Sequence, residues 1–421
     1  MDMNKDSKGI FETAVNNFER AAARLKLSPR LIDRITGPKE IIEIRINPEI
    51  PDGDYAHVKA FVVRHNDTLG PSKGGIRMTG DVTVEDICGL AMEMTWKTAL
   101  IGVPFGGGKS GIQVDPGDLS ETGKEVVIRA FTRALLRHIG PEVYVPAPDM
   151  GTNETDMGHI RDCISYSGGV SITQGCFVTG KPVILGGIEG RREATGKGCV
   201  YTIQATCQKM GIDLAETRTS VQGFGNVGSV AALEMAKLGS KVIAVSDITG
   251  GVVDERGLDI EALCAHASAT GGVKGFADAT ATGHNEVLYT DCDILIPAAA
   301  QSQITEKNAD KVKAKIIAEG ANSPMTPGGD KILYDKGVFI IPDILANAGG
   351  VFVSYLEYTQ ETQHEQMSID EVEQRLMKRM GKRFSEVYEY SQAKGLSMRD
   401  AAMDIGVQKV ADGIIARGLL P

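Results

Sequence analysis

The segment Gly223-Phe224-Gly225-Asn226-Val227-Gly228 constrains the fold more than any other part of these 421 residues. A strand-like run, TRTSVQ, precedes it, and a helix-like run, SVAALEMAKLG, begins on it. A second strand-like run, KVIAVSD, follows, and its last residue, Asp247, lies 19 positions past the final glycine. A glycine pattern alone would be weak, but in this setting each residue has a physical task. Gly223 allows a tight turn, Gly225 lets the backbone approach a pyrophosphate, and Gly228 lets the helix pack against the sheet. The helix start, at Val227 and Gly228, turns unpaired N–H groups toward the phosphates. Asp247 is placed to accept hydrogen bonds from adenosine ribose hydroxyls; its plainer reading is a turn residue at a strand end. The segment reads as a dinucleotide-binding unit, against the rival of a glycine turn with no ligand.

Around this unit the chain alternates strand and helix. A helix over 193–210 comes first, and the apolar runs DILIPAAA, AKIIAEGAN and GVFIIPDIL come after. That order predicts a parallel sheet with helices on both faces. The N-terminal part reads differently. An amphipathic helix over 11–27 stops at Ser28-Pro29. EIIEIRI then alternates as a half-buried strand, and a second strand covers 57–65. Thr83 with Asp86 predicts a capped helix running to Leu100; further helices are expected over 120–139 and 152–168, with a short strand over 143–147. The tail from Ser368, with Glu371 three residues on, reads as helical to its end.

Composition removes several classes. The net charge of −10 disfavours a nucleic-acid partner. No apolar stretch is long enough to span a membrane, and the acidic opening residues fit neither a secretory nor a transit peptide, so a soluble, cytoplasmic protein is expected. The seven cysteines form no Cys-x-x-Cys pair and read as reduced thiols. His364-Glu365 begins a zinc-protease pattern, but Ser368 stands where the second histidine belongs, so no metal is expected. Glycine, 50 of 421 residues, is well above the usual share of roughly 7%.

Part of that glycine lies in segments that fold-building alone does not explain, PSKGGIR (71–77) and PFGGGKSG (104–111), with TWKT (95–98) between them. Lys73 and Lys109 sit among glycines, where an exposed backbone leaves long side chains room to reach a ligand. Lys97 falls at the edge of the arc of Ile87, Leu90, Ala91 and Met94, so it must snorkel to solvent or meet a partner. GGGKS is not a phosphate-binding P-loop, because Val103 stands where that loop needs its first glycine and a helix precedes it.

With these residues in place, the chain resembles the glutamate dehydrogenases of the Glu/Leu/Phe/Val dehydrogenase family from about residue 30 to about 360. PSKGGIR, TWKTAL, PFGGGKSG, VPAPDMGT, VTGKP, EATGKG, GFGNVG, AEGAN and NAGGV occur in the family's order. The resemblance implies that Lys109 is the catalytic lysine and Asp149 the acid/base aspartate. It implies that Lys97 binds the substrate's α-carboxylate and that Lys73, with Ser354, receives its side-chain carboxylate. Thr195 and Asn226 become cofactor contacts, and Asn322 and Asn347 lie around the nicotinamide end. Met94 departs from the glutamine of many bacterial relatives, and ISYSGGVSITQGC (164–176) is unusual. Bland alternatives stand beside these roles: the lysines as surface charges, Asp149 as a helix N-cap, Ser354 as a polar core residue.

The resemblance implies an α/β chain of two domains. An N-terminal α/β substrate-binding domain covers 1–188 and a Rossmann-like, doubly wound dinucleotide-binding domain covers 189–355. C-terminal helices, 356–421, return to the first domain, and the site lies between the two domains. The implied activity is reversible deamination of L-glutamate to 2-oxoglutarate and ammonia, in a homo-hexamer. A leucine, valine or phenylalanine dehydrogenase is the alternative within the family, and a catalytically silent regulatory subunit on the same scaffold is the alternative from a different functional class. NAD is expected over NADP, with dual use open, since no basic residue follows Asp247 until Arg256.

Overall fold

In the computed structural model, which describes residues 9–51, 53–168 and 175–418, the chain divides into two units, each with its own sheet. The first unit takes the chain up to Glu189, then Phe352–Val372 and the stretch from Met403 onward. It starts with α1 (Ile10–Arg24) and α2 (Pro29–Thr36). The Ser28-Pro29 pair that reads as a helix stop also starts the next helix. The Ser28 hydroxyl accepts from Leu31 N–H, and Pro29 fills the first helical position, where a missing N–H costs nothing.

β1 (Glu40–Ile46), β2 (Val58–Asn66), β3 (Ser72–Met78), α3 (Val84–Ile101), β4 (Gly106–Gln113), α4 (Glu121–Ala134), β5 (Tyr144–Pro148) and α5 (Glu154–Gly168) follow. The sheet order is β1-β2-β4-β3-β5, with β3 parallel to both its neighbours and β2 antiparallel to both of its own. The α3 start is the expected capping box: Thr83 Oγ1 accepts from Asp86 N–H and Asp86 Oδ2 from Thr83 N–H, each at 3.2 Å. One sheet face packs Val62, Ile76, Ile112 and Tyr144 against Val127 and Phe131 of α4 and Met157 and Ile160 of α5. On the other face Val63 packs with Ile87, Leu90 and Ala91 of α3, backed by Ile10 and Phe11 of α1. Residues 169–174, in the unusual segment noted above, lie outside the described residues.

The two glycine-rich segments are the correction here. Their glycines suggest exposed backbone, but the segments form β3 and β4, interior strands of the sheet.

The second unit takes Gly190–Val351 and Glu373–Ala402. Its elements are α6 (Ala194–Met210), β6 (Arg218–Gln222), α7 (Gly228–Lys237), β7 (Lys241–Asp247), β8 (Gly250–Val253), α8 (Ile260–Thr270), β9 (Thr280–Thr282), β10 (Ile294–Pro297), β11 (Ile316–Ala318), α9 (Pro327–Asp335), β12 (Phe339–Ile341) and α10 (Asp343–Ala346). The sheet order is β12-β11-β10-β6-β7-β8-β9, parallel from β12 to β7 and antiparallel beyond. Connections leave β6 toward β7 on one side, and the chain later returns to β10 on the other. The C-terminal end of β6 is therefore the topological switch point, where ligands bind in open α/β sheets. GFGNVG stands there.

The chain ends in α11 (Gly349–Gln363), α12 (Ile369–Lys394) and α13 (Met398–Arg417). The Ser368/Glu371 box is formed, with Glu371 Oε2 accepting from Ser368 N–H at 2.8 Å. The whole of 356–421 was expected to return to the first domain. Its middle, Glu373–Ala402, groups instead with the second unit. Among the described residues, no helix is long and apolar enough to cross a membrane, and all seven cysteines are free, six of them buried.

Candidate active site

β3 and β4 pair in parallel with Lys73 opposite Gly107 and Arg77 opposite Gly111, which sets Gly75 opposite Lys109. Alternate residues of a strand share a face. Lys73, Gly75 and Arg77 therefore share a face with Gly107, Lys109 and Gly111, and each basic side chain stands beside a glycine. The glycines are there because this face is crowded. A Cβ on Gly107 would strike Thr95 and Ala91 of α3. One on Gly111 would lie 2.9 Å from Ile87 Cγ1, and one on Gly75 would lie 2.7 Å from Asp149 Cβ. Lys73 is 2% exposed, Lys109 4% and Lys97 6%, so none of the three is a surface charge.

Asp149 follows β5 on the same face and pairs with Lys109 through Oδ2. Its Oδ1 accepts from Met150 N–H at 2.7 Å and lies 3.4 Å from Arg77 Nε. Thr152 holds the backbone in place: its hydroxyl accepts from Asp149 N–H at 2.9 Å and donates to Ile76 O at 2.8 Å. Asp149 does not cap α5. That start is closed by Asn153 and Asp156, each side chain accepting from the other's N–H. Burial, helped by the cations Arg77 and Lys97, pushes the Lys109 amine below the usual lysine range, and Asp149 only partly opposes it. Burial would raise the Asp149 carboxyl, but Lys109 and then Arg77 outweigh it and hold it at about 2. The pair is thus an ammonium that releases its proton more readily than a surface lysine, beside a carboxylate that is ionised in the free site and so able to accept one. Such a pair can move protons at a substrate atom.

In the second unit, Gly223 takes φ +94°, and a Cβ there would lie 2.6 Å from Ala299 N. Gly228 packs against the Gly223 carbonyl, whereas a Cβ on Gly225 would meet nothing within 4 Å. The turn is closed within and open outward. α7 starts with Val227 as N-cap and no side-chain cap, and Asn226 beside it is exposed. Its first N–H groups can therefore serve an anion. Asn347 Nδ2 donates to Asn322 Oδ1 at 3.0 Å and to Ala321 O at 3.2 Å. The buried Asn347 Oδ1 has no protein partner, which suits the amide donor of a nicotinamide. Thr195, at the start of α6, lies where a side chain on Gly350 would strike it. These residues fit a nicotinamide dinucleotide.

Asp247 is engaged as a turn residue. Oδ1 accepts from Thr249 N–H at 2.8 Å and Oδ2 from Val273 N–H at 2.8 Å. Oδ1 also accepts from the Thr249 hydroxyl, so Oδ2 is the oxygen that keeps a lone pair for a further donor. The fold also brings up basic residues that the sequence order hides. Lys274 N–H donates to Thr249 Oγ1 at 3.2 Å, and His284 Nδ1 lies 2.7 Å from Asp247 O. Arg256, the first basic residue along the chain, pairs instead with Asp254 at 2.9 Å.

Comparison with known proteins identifies the family. Residues 38–166 match the Glu/Leu/Phe/Val dehydrogenase dimerisation domain, and residues 186–418 match the Glutamate/Leucine/Phenylalanine/Valine dehydrogenase domain. The chain belongs to the Glu/Leu/Phe/Val dehydrogenase family. A glutamate dehydrogenase of Thermotoga maritima is 41% identical over 415 residues, 98% of this chain and 99% of that protein. The cryptic catabolic NAD-specific glutamate dehydrogenase of Bacillus subtilis is 39% identical, over 98% of this chain and 97% of its own. Among solved structures, the hetero-hexameric glutamate dehydrogenase of Thermus thermophilus, in a Leu-bound form, superposes with a TM-score of 0.93 at 32% identity over 99% of both chains.

Of the residues expected from the family, the first unit joins Lys109 directly to Asp149 and sets Lys97 close enough to act on Lys109 electrostatically. Lys73 lies 3.5 Å from Pro146 O on β5. Ser354 is buried on α11, one turn before Glu357, which is ion-paired with the buried Lys181 at 2.7 Å. Arg77 and Thr152 received no role in the sequence reading. Arg77 stands two positions beyond Gly75 on the Lys73 face, a signal that exists only once 72–78 is known to be a strand. Replacing Arg77 with glutamine removes a cation that lowers the Lys109 pKa. The ammonium then holds its proton more tightly, so the rising limb of kcat/KM against pH for this dehydrogenase should move to higher pH. A limb that stays put or moves to lower pH would contradict the electrostatic role of Arg77.

Proposed function

We propose that this chain catalyses reversible oxidative deamination of L-glutamate to 2-oxoglutarate and ammonia, with NAD as the preferred hydride acceptor. The observation that carries the reading is the pair of the buried Lys109 with the half-buried Asp149, set on a sheet face beside Lys73 and Arg77. A dicarboxylate needs two cations held apart. Lys97 suits the α-carboxylate and Lys73, with Ser354, the side-chain carboxylate, both through charge-assisted hydrogen bonds. Asp149 takes and returns the proton of the amine nitrogen. Lys109 activates the water that attacks the imine carbon and stabilises the developing carbinolamine oxygen. The nicotinamide, when bound, accepts the hydride from the α-carbon. Gly223, Gly225, Asn226, Val227 and Gly228 would hold its pyrophosphate, Thr195, Asn322 and Asn347 its nicotinamide end, and Asp247 its ribose. The glutamate dehydrogenases among the relatives support the substrate, and the NAD-specific one from Bacillus subtilis supports the cofactor. The match to a dimerisation domain and the hexameric relative support an oligomer, which for a single chain type is a homo-hexamer. Initial rates with glutamate, leucine, valine and phenylalanine test the substrate.

The cofactor is tested at Asp247. A carboxylate there accepts from a ribose hydroxyl and repels the extra phosphate of NADP. Asp247→Ser should raise kcat/KM for NADP relative to NAD, with Lys274 and His284 nearby to receive the phosphate. A parallel loss with both cofactors would leave Asp247 only its bonds to Thr249 and Val273. A wild-type preference for NADP would defeat the assignment outright.

A further inference from the structure

Four charged groups that the mechanism does not use meet in the second unit. Arg399, near the start of α13, donates from Nη2 to Glu319 Oε1 at 2.7 Å and from Nη1 to Asp343 Oδ1 at 3.3 Å. Its Nε and Nη2 also reach Asp330 Oδ1 of α9, both at 3.1 Å. Glu319 directly follows β11 and is fully buried. Its other oxygen accepts from Asp343 N–H at 2.8 Å, which ties the end of β11 to the start of α10. Asp343 Oδ2 accepts from Ser323 N–H at 2.9 Å. Ser323 is a non-glycine residue at φ +45°, a conformation that persists only where the surroundings over-determine it.

The two segments fixed in this way are 319–323 and 343–347. They carry Asn322 and Asn347, and Asn347 Nδ2 bonds to Asn322 Oδ1, Ala321 O and Gly320 O. Asn347 N–H donates to Asp343 O at 3.1 Å. Three carboxylates thus converge on one guanidinium, and the bonds that shape both asparagine-bearing segments lead back to it. The planar guanidinium presents its five N–H donors in a fixed fork that meets Glu319, Asp330 and Asp343 together, an orientation that the compact, freely rotating ammonium of a lysine does not fix.

We propose that Arg399, through Glu319 and Asp343, is the positioning residue that sets Asn322 and Asn347 for the nicotinamide half of the cofactor. The proposal rests on reading those asparagines as nicotinamide contacts. It assigns Arg399 no contact with cofactor or substrate. Burial pushes the Glu319 carboxyl up to about 8, and Arg399 is the main force opposing that rise.

The test compares NADH with ADP-ribose, which shares the adenosine and pyrophosphate but lacks the nicotinamide. In the full-length protein, Arg399→Lys should weaken NADH binding at least tenfold while ADP-ribose binding changes less than twofold. Asn347→Ala should shift the same ratio in the same direction. If Asn347→Ala shifts the ratio and Arg399→Lys does not, the brace is wrong while the asparagine reading stands. If Asn347→Ala leaves the ratio unchanged, the asparagine reading fails and the proposal fails with it. Equal weakening of both ligands by Arg399→Lys would mark a purely structural residue and overturn the proposal. Should Arg399→Lys not fold, Asp343→Asn is read by the same ratio, with the same selective loss of NADH expected and an unchanged ratio overturning the proposal.

Discussion

Replacing Lys109 with alanine should lower kcat for glutamate by at least about a thousandfold, the range for losing a general acid–base and an electrostatic stabiliser together. The size follows from what surrounds the amine. Lys109 is buried, paired with Asp149, and pushed down by burial, Arg77 and Lys97. No other side chain bonded to Asp149 can release a proton near neutral pH, because Arg77 keeps its own. Alanine also removes the strongest force holding the Asp149 carboxyl low, so the remaining acid–base group is mistuned as well. Lys109→Arg should fail almost as badly, since a guanidinium keeps the charge and cannot deprotonate. Both variants are measured at saturating glutamate and cofactor, with a thermal melt to show that the first unit remains folded. Near-wild-type turnover by either would remove Lys109 from its role.

The second large effect is on substrate choice. Lys73→Leu should lower kcat/KM for glutamate by roughly tenfold to a hundredfold, as expected when a hydrogen bond to a charged group worth about 1.5–3 kcal/mol is lost. Turnover of leucine should become measurable in the same variant. At position 73 an apolar side chain replaces a buried lysine, and burying a leucine side chain against an ammonium is the cost that excludes it in the wild type. The opposite glycine, Gly107, leaves no second side chain at that register position to take over the contact. Unchanged glutamate turnover with no leucine turnover would show that the side-chain carboxylate is received elsewhere.

How far the sequence led can be judged from particular residues. The Thr83/Asp86 box, the alternation of EIIEIRI and the strand–glycine–helix unit at 218–237 were legible because each signal is local and its partners lie within a few positions. β3 and β4 were not read as strands, because glycine weakens a strand and so does not announce one. Their glycines answer to tertiary packing, against α3 and Asp149, which no local pattern shows. Arg77 was overlooked for the same reason: its partner Asp149 is 72 residues away. At Asp247 the strand end was legible, but the bond of its carboxylate to Val273 and its neighbours Lys274 and His284 come from the segments beyond β8. The short antiparallel strands β8 and β9, four and three residues long, carry too little pattern to be seen before the fold is known.

The most direct measurement is kcat/KM of the purified protein for glutamate, leucine, valine and phenylalanine, each with saturating NAD. The expected result is glutamate ahead of the three apolar amino acids by at least about two orders of magnitude, the scale on which a site built for a charged or polar group rejects a substrate lacking it. Leucine, valine or phenylalanine turned over faster than glutamate would contradict the placing of Lys73. A folded protein inactive with all four amino acids, with NAD and with NADP, would contradict the catalytic reading of Lys109 and Asp149.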